Sequence, residues 1–338
     1  MARLKTHLAT LACTPRAQSY FTNNSRPYLM ATLECTAGLG IAEYAPLRGI
    51  HKHDVFEVKA MLDALSPREL DMLLAFDLSL DCFELAKIFK KNWPYPLSWV
   101  LSCLLYSLNL PKNILSQNKI KLSGLILQDV GESREFIANN YNFLKLKIGA
   151  NIGEEIIKIE SLKSYMPKNM RLRLDANRRL SLEDSAKLVR GIGLQKLEYF
   201  EEPLAEPRFL SHFFDNYGLA CALDESWCES SSWEEIESTK ARYLIIKPSR
   251  FSSIYHVIAC AREALLRNIK PILSTCFESP YSTALYALLA ANLDILEEAH
   301  GIWAEGFFSF NKSENPFINA PGHIYLSQAL SYMMSLEN

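Results

Sequence analysis

The sequence predicts an α/β fold, a (β/α) barrel preceded by a small α+β unit. After residue 113, eight short, apolar, β-rich runs alternate with amphipathic helical runs. Before that point, two strand-like runs are followed by three helical stretches, the pattern of a separate α+β unit. Eight strands alternating with helices over about 190 residues favour a closed barrel over an open doubly wound sheet. No G-x-G-x-x-G follows an early strand, so nothing supports a dinucleotide site on an open sheet.

In order along the chain, PYLMATLEC (27–35) reads as a strand, AGLG as a turn and IAEYAPL as a second extended segment. Helical stretches follow at 53–64, 67–91 and 97–108. The run 92–111 carries no charge over 20 residues, the length of a membrane span. Pro94, Pro96 and Pro111 cut it to a helix of about a dozen residues, from Leu97 to Leu108, which fits a buried core helix. Barrel strands are expected at 121–127, 143–149, 171–177, 197–203, 221–226, 243–249, 270–279 and 300–308. Helices are expected at 153–165, 182–191, 231–239, 253–267 and 279–293, with a weaker one near 131–139. The α+β unit thus spans 1–112 and the barrel 113–309, while the tail 310–338, with no further βα unit, is expected to pack back on the N-terminal unit.

Composition excludes several classes of function. Net charge is −2, from 36 Lys+Arg against 38 Asp+Glu, which gives no electrostatic reason to expect nucleic acid or an anionic membrane as partner. Eight cysteines are scattered without a C-x-x-C pair, which suits reduced cytosolic thiols better than a disulfide framework or a zinc site. The start, MARLKTHLATLACTP, is faintly like a lipoprotein signal, but its apolar part is shorter than a signal needs. The expectation is a soluble cytoplasmic protein, either a monomer or a homo-oligomer.

In a (β/α) barrel the active site lies at the C-terminal ends of the strands. Those ends carry Lys145 and Lys147, Asp175 and Asn177, Glu201 and Glu202, Asp224 and Glu225, Lys247, then Ser274, Thr275, Glu278 and Ser279. Lys145 and Lys147 are two apart, so both face the barrel interior. Buried charges are costly unless paired or bound to metal. Carboxylates on three consecutive strand ends suit a hard divalent cation with oxygen ligands, such as Mg²⁺. Lysines beside such a cation are expected to have lowered pKa values, so that one can act as a base. Each short motif alone is as easily a solvated loop; the series on successive strand ends is what points to a site. His51 and His53 are expected to be solvated, and His300, which opens the last strand, to be structural.

This series resembles the enolase superfamily, in its muconate-lactonizing subgroup, over nearly the whole chain. G-I-A-E-Y-A-P-L (40–47) is similar to that subgroup's G-x-G-E-x-x-P-L, with Ala42 replacing the second glycine. Within the subgroup, R-L-D-A-N-R (173–178), F-E-E-P (200–203), L-D-E-S (223–226), I-K-P-S (246–249) and L-S-T-C-F-E-S (273–279) are most similar to the o-succinylbenzoate synthase family of menaquinone biosynthesis. The resemblance implies a (β/α)7β TIM-like barrel with an N-terminal α+β capping domain. It implies that Asp175, Glu201 and Asp224 hold Mg²⁺, for which Mn²⁺ can substitute, with Asn177, Glu225, Glu202 and Arg173 as supporting neighbours. Glu202 is as readily solvated, and Arg173 as readily a barrel salt bridge.

The implied substrate is a small carboxylate, 2-succinyl-6-hydroxy-2,4-cyclohexadiene-1-carboxylate. Lys147 would take its α-proton and return a proton to the departing hydroxide. Lys247, on the opposite face, would stabilise the planar anion, and Lys145 would assist the substrate carboxylate. Ser274 and Gly301 would contact the succinyl side chain. Trp303 departs from the family pattern, since an acidic or small residue is expected there. A dipeptide or N-acylamino-acid epimerase would use the same lysines, so that reading stays open. A non-catalytic binding barrel is the alternative of another class.

Overall fold

In the computed structural model, the described residues are 2–19, 21, 24–110, 118–127, 130–229, 232–303, 306–309, 316–317 and 322–336. The N-terminal unit opens with an antiparallel sheet of β1 (Arg3–Ala12), β2 (Ser25–Cys35) and β3 (Gly38–Tyr44), in that order. Four helices follow: α1 (Val55–Asp63), α2 (Pro67–Leu74), α3 (Cys82–Asn92) and α4 (Leu97–Leu108). β1 was not expected. It has few strongly apolar residues and is half exposed, yet it pairs with β2 along ten residues. The single helix expected at 67–91 is two helices. Ser66 and Asp81 each cap a helix start, and Asp77 turns the chain between them by accepting from Ser79 N at 3.0 Å.

The uncharged helix α4 is core and packs across β3. A Cβ on Gly40 would come within 2.5 Å of the Leu104 carbonyl, so the glycine lets strand and helix approach closely. Among the described residues no helix is long and apolar enough to cross a membrane. All eight cysteines are free thiols.

The second unit begins with β4 (Lys119–Ile126), α5 (Ser133–Ala138), β5 (Phe143–Lys147), α6 (Ile152–Tyr165), β6 (Arg171–Asp175) and α7 (Leu182–Ile192). It continues with β7 (Leu197–Glu201), α8 (Leu210–Tyr217), β8 (Cys221–Leu223), the short α9 (Glu225–Glu229) and α10 (Trp233–Ser238). β9 (Tyr243–Ile246), α11 (Ile254–Leu266), β10 (Lys270–Leu273), α12 (Pro280–Asn292) and β11 (Ala299–His300) complete it. Strands β4 to β10 pair in parallel in sequence order, β11 pairs with β4, and a Ser274–Gly301 bridge joins β10 to β11. The fold is a TIM-like barrel with an N-terminal α+β capping domain, as the sequence predicted.

Two expectations need correction, and one falls outside the described residues. The last barrel strand is two residues long rather than the nine of 300–308, because beyond Gly301 the chain leaves the ring, and Phe308 bridges to Cys13 of the N-terminal unit. Among the described residues the tail packs on the barrel: β12 (His323–Tyr325) pairs antiparallel with β4, and α13 (Leu326–Ser335) packs on α12. An exposed edge strand is a liability, and β12 covers the lower part of β4. The expected boundary at 112/113 lies outside the described residues.

Candidate active site

Parallel register sets the site's layers. Lys145 pairs with Arg173 and Lys147 with Asp175, while Asp175 pairs with Glu201, so these side chains stack at the C-terminal ends of β5, β6 and β7. Asp224 follows β8 directly, and Lys247 follows β9. One pocket is lined by Lys145, Lys147, Asp175, Asn177, Glu201 and Lys247, with Arg173, Ser274, Gly301 and Trp303 also on its walls. Asp224 closes it from behind through an ion pair with Lys247.

The strand ends turn sharply. Asn177, Arg178, Glu202 and Phe277 all have left-handed backbone, with φ of 44°, 62°, 40° and 64°. Only the asparagine adopts this conformation readily. Strained backbone of this kind persists where the surroundings over-determine it.

Three carboxylates are almost wholly buried here: Asp175, Glu201 and Asp224 are 2%, 0% and 1% exposed. Lysines answer each of them. Lys145 Nζ donates to both Glu201 oxygens at 2.6 and 2.7 Å and lies 2.9 Å from Asp175. Lys247 pairs with Asp224, which also accepts from Arg250 Nη1 at 3.4 Å. Lys147 is held more loosely, donating to Asn177 Oδ1 at 2.7 Å with Asp175 at 3.5 Å.

Burial acts to raise the Asp175 pKa, but the charges of Lys145 and Lys147 outweigh it and bring the group to about 2. Burial pushes Glu201 upward, and the neighbouring Asp175 and Asp224 charges add to the push. Burial alone would lower Lys145 and Lys247, yet the paired carboxylates hold both above the ordinary lysine value. Lys145, Lys147, Lys247 and Arg250 together act as counterions to these carboxylates.

The donor set suits a hard divalent cation in kind, since three buried oxygen ligands sit on adjacent strand ends. Among the described residues, however, no three His, Cys, Asp or Glu side chains converge closely enough to hold an ion. The oxygens are turned to Lys145 and Lys247, which would have to yield to a cation.

The supporting residues fall into place around this core. Asn177 bridges Lys147 to Glu225, donating to its Oε1 at 3.3 Å. Glu202 is buried rather than solvated, and it accepts from Asp224 N and Ser226 N, both at 2.7 Å, so it shapes the loop that carries Asp224. Arg173 does close a barrel salt bridge, with Glu198, and also lines the pocket. His51 is not solvated: Leu47 N donates to its Nδ1 at 2.9 Å, and its Nε2 donates to the Ser249 carbonyl at 3.2 Å. His53 pairs with Glu57. His300 is fully buried, accepting from Leu273 N at 3.0 Å and donating to the Ile295 carbonyl at 3.0 Å.

Sequence reasoning missed Arg250, which sits on Asp224, and the cap residues that reach the barrel. Arg26 donates to the Cys276, Phe277 and Ala45 carbonyls. Glu43 accepts from Ser279 N at 2.8 Å and from the Ser279 and Ser282 hydroxyls, both at 2.7 Å. Arg250 was discoverable as a cation three residues after Lys247. Arg26 had no local signal, because its barrel partners Cys276 and Phe277 are 250 and 251 residues away in the chain.

A family model described as enolase C-terminal domain-like matches residues 129–330. The chain belongs to the enolase superfamily. Among the relatives of this superfamily member, an o-succinylbenzoate synthase of Desulfotalea psychrophila is 26% identical over 188 residues, covering 51% of this chain and 50% of that protein. An N-succinyl-L-Arg/Lys racemase of Bacillus cereus is 22% identical over 159 residues, covering 45% and 42%. The chain spans about half the length of the curated relatives it matches, or less. The solved structure of MenC from Desulfotalea psychrophila superposes with a TM-score of 0.73 at 19% identity, covering 92% of this chain and 96% of that one. At that identity the likeness concerns the fold.

Proposed function

We propose that this superfamily member is an o-succinylbenzoate synthase, a carbon–oxygen lyase that dehydrates 2-succinyl-6-hydroxy-2,4-cyclohexadiene-1-carboxylate. The observation that carries the reading is the placement of Lys147 and Lys247. They rise from β5 and β9, four strands apart in an eight-strand ring, so they face each other across the pocket with the acidic strands β6 to β8 between them. The similarity to o-succinylbenzoate synthases supports the choice of substrate.

The two lysines of β5 have different capacities. Lys145 is committed to two carboxylates, whereas Lys147 has a neutral asparagine as its nearest partner and is freer to move. Lys147 therefore takes the proton from the carbon next to the substrate carboxylate. It then gives that proton to the departing hydroxyl, so that water leaves and the ring becomes aromatic. Lys247 keeps its proton and faces the other side of the ring, where its charge stabilises the planar anion. Lys145 steadies Asp175 and Glu201. Asp175, Glu201 and Asp224 would hold Mg²⁺, which when bound supplies fixed positive charge beside the substrate carboxylate, where negative charge develops.

An N-succinylamino-acid racemase is the second reading, favoured by the same opposed lysines and by the similarity to such an enzyme. A dipeptide substrate fits less well, because its ammonium group would meet Gly301 and Trp303 at the last strand. The test is to incubate the chain with Mg²⁺ and the cyclohexadiene carboxylate, and separately with N-succinylamino acids and dipeptides. Aromatic product absorbance is expected from the first alone, and Lys147→Ala should lower that rate by roughly 10²–10⁴-fold while the fold is kept. An unchanged rate in Lys147→Ala, or racemisation without aromatisation, would sink the proposal.

A further inference from the structure

A second cleft, of about 490 Å³, opens in the cap and shares no lining residue with the strand-end pocket. Its walls come mainly from the start of β2 and from the loop between β3 and α1. Among the described residues, three cations line it, Arg26, Arg48 and Lys52, against one carboxylate, Asp54. That carboxylate is committed to capping α1, accepting from Phe56 N at 2.8 Å and Glu57 N at 2.9 Å. Arg48 and Lys52 are exposed, and among the described residues their side chains have no ion-pair or hydrogen-bond partner. A concave wall with surplus charge of one sign concentrates ions of the other.

Arg26 differs from the two surface cations in being only 3% exposed. Its Nη atoms donate to the Cys276, Phe277 and Ala45 carbonyls, while its Nε has no hydrogen-bond partner. Those three acceptors are neutral, and Glu278 and Glu43 offset the buried charge only from beyond ion-pair distance. Leaving a buried donor unpaired is costly, and a guanidinium without a carboxylate in contact is an anchor for an oxyanion. The histidines of the cleft are already engaged: His51 with Leu47 N and the Ser249 carbonyl, His53 with Glu57. Phe21, Pro27, Pro46 and Leu47 give the cleft apolar walls, with the Phe21 ring centroid 5.5 Å from the Arg26 guanidinium carbon. A bare inorganic anion would fill little of this volume, so the cleft suits a charged head joined to an apolar body.

We propose that this cleft binds a phosphate monoester with an apolar body. The dianionic head meets Arg26, Arg48 and Lys52, and the body lies against Phe21, Pro27, Pro46 and Leu47. A dianion matches the surplus charge of the wall better than a monoanion does, and a cationic ligand would find only the committed Asp54. The cleft and the strand-end pocket stand back to back: the rings of Phe21 and Phe277, one from each, meet edge to face with centroids 5.8 Å apart. Such a ligand is distinct from the substrate proposed above, so the cleft stands or falls apart from the synthase reading.

The test titrates phenyl phosphate calorimetrically into the full chain with EDTA present, so that no metal in the other pocket takes the phosphate. Inorganic phosphate and phenol are the comparison ligands. One phenyl phosphate per chain is expected, with inorganic phosphate about tenfold weaker and phenol not bound. Arg26 clamps the barrel loop and is left intact. Arg48→Gln with Lys52→Gln, at exposed positions whose side chains hold nothing, should together weaken phenyl phosphate by about tenfold or more. Lys147→Ala, in the strand-end pocket, and Lys59→Gln, on α1 outside the cleft, should each change it by less than about twofold. Absence of binding by the wild type, or equal affinity for phosphate and phenyl phosphate, would overturn the proposal. So would a loss in Lys147→Ala that the double variant does not share, which puts the anion among the pocket lysines. A loss in Lys59→Gln equal to that of the double variant would also overturn it, since it shows a response to overall charge and not a site.

Discussion

His300 shows how a single buried side chain ties the barrel's closure to pH. Its ring joins the end of β10 to the turn before β11, accepting at Nδ1 from Leu273 N and donating at Nε2 to the Ile295 carbonyl. That pattern needs the neutral ring. Burial lowers its pKa to about 4, with Arg173 and Lys121 adding to the effect, against an ordinary value of 6.5. Because the folded pKa lies below the unfolded one, the unfolded chain binds the extra proton between those values. The contribution of His300 is therefore fully present above pH 6.5 and is lost as pH falls towards 4, a penalty of order 3 kcal/mol. Chemical denaturation at pH 7, 5.5 and 4.5 should show it. His300→Asn, whose side-chain oxygen replaces the Nδ1 acceptor, should lose less stability than the wild type over that interval. Parallel pH curves for the two proteins would mean that His300 does not titrate as described.

At the scale of elements, the cap holds the loops that finish the site. Glu43 at the end of β3 places its carboxylate at the N-terminus of α12, where the Ser279 amide and two hydroxyls donate to it. Arg26 on β2 holds the carbonyls of Cys276 and Phe277, in the loop that carries the pocket residues Ser274 and Thr275. His51 and Tyr95 both donate to the Ser249 carbonyl, two residues after Lys247. Glu43→Ala should cost about 3–5 kcal/mol, by stripping a buried hydrogen-bonded group from its partners. Glu43→Gln should cost less, and in both variants KM should rise more than kcat falls. A Glu43→Ala protein with unaltered denaturation midpoint and KM would contradict this role.

The same elements mark what could be read from the sequence. The helix Leu97–Leu108 and barrel strands β5 to β7 were legible, because periodicity and local caps settle them. Lys145, Lys147, Asp175 and Glu201 were legible as a group through strand-end spacing. The two-residue β11 and the tail strand were not, since each is defined by pairing with β4 far away in the chain, and β1 was not, since it is half exposed and has few strongly apolar residues. The raised pKa of Lys145 and of Lys247 was also hidden, because it depends on which carboxylate each ammonium meets. Arg26 and His51 gain meaning only when cap and barrel touch.

For the whole molecule, that contact decides how it unfolds. A single hydrophobic cluster runs from Leu29, Val58, Phe89 and Trp99 of the cap to Leu172, Leu244, Tyr255 and Leu288 of the barrel. Phe89 on α3 stacks on Tyr255 of α11 with ring centroids 5.5 Å apart, and Tyr106 of α4 meets the same ring edge-on. Two-domain proteins commonly unfold in steps, when each domain has a core of its own. Here neither part can open without exposing the shared face and stranding Arg26 and Glu43, so one cooperative transition is expected. Amide exchange followed across a denaturant series should lose protection in β2 and β3 together with β5 to β9. Phe89→Ala should lower both by the same amount, about 3–5 kcal/mol, although the substitution lies in the cap. A cap that exchanges while the barrel stays protected would show that the clamps are weaker than the two cores, and that the site can lose its lid without losing its floor.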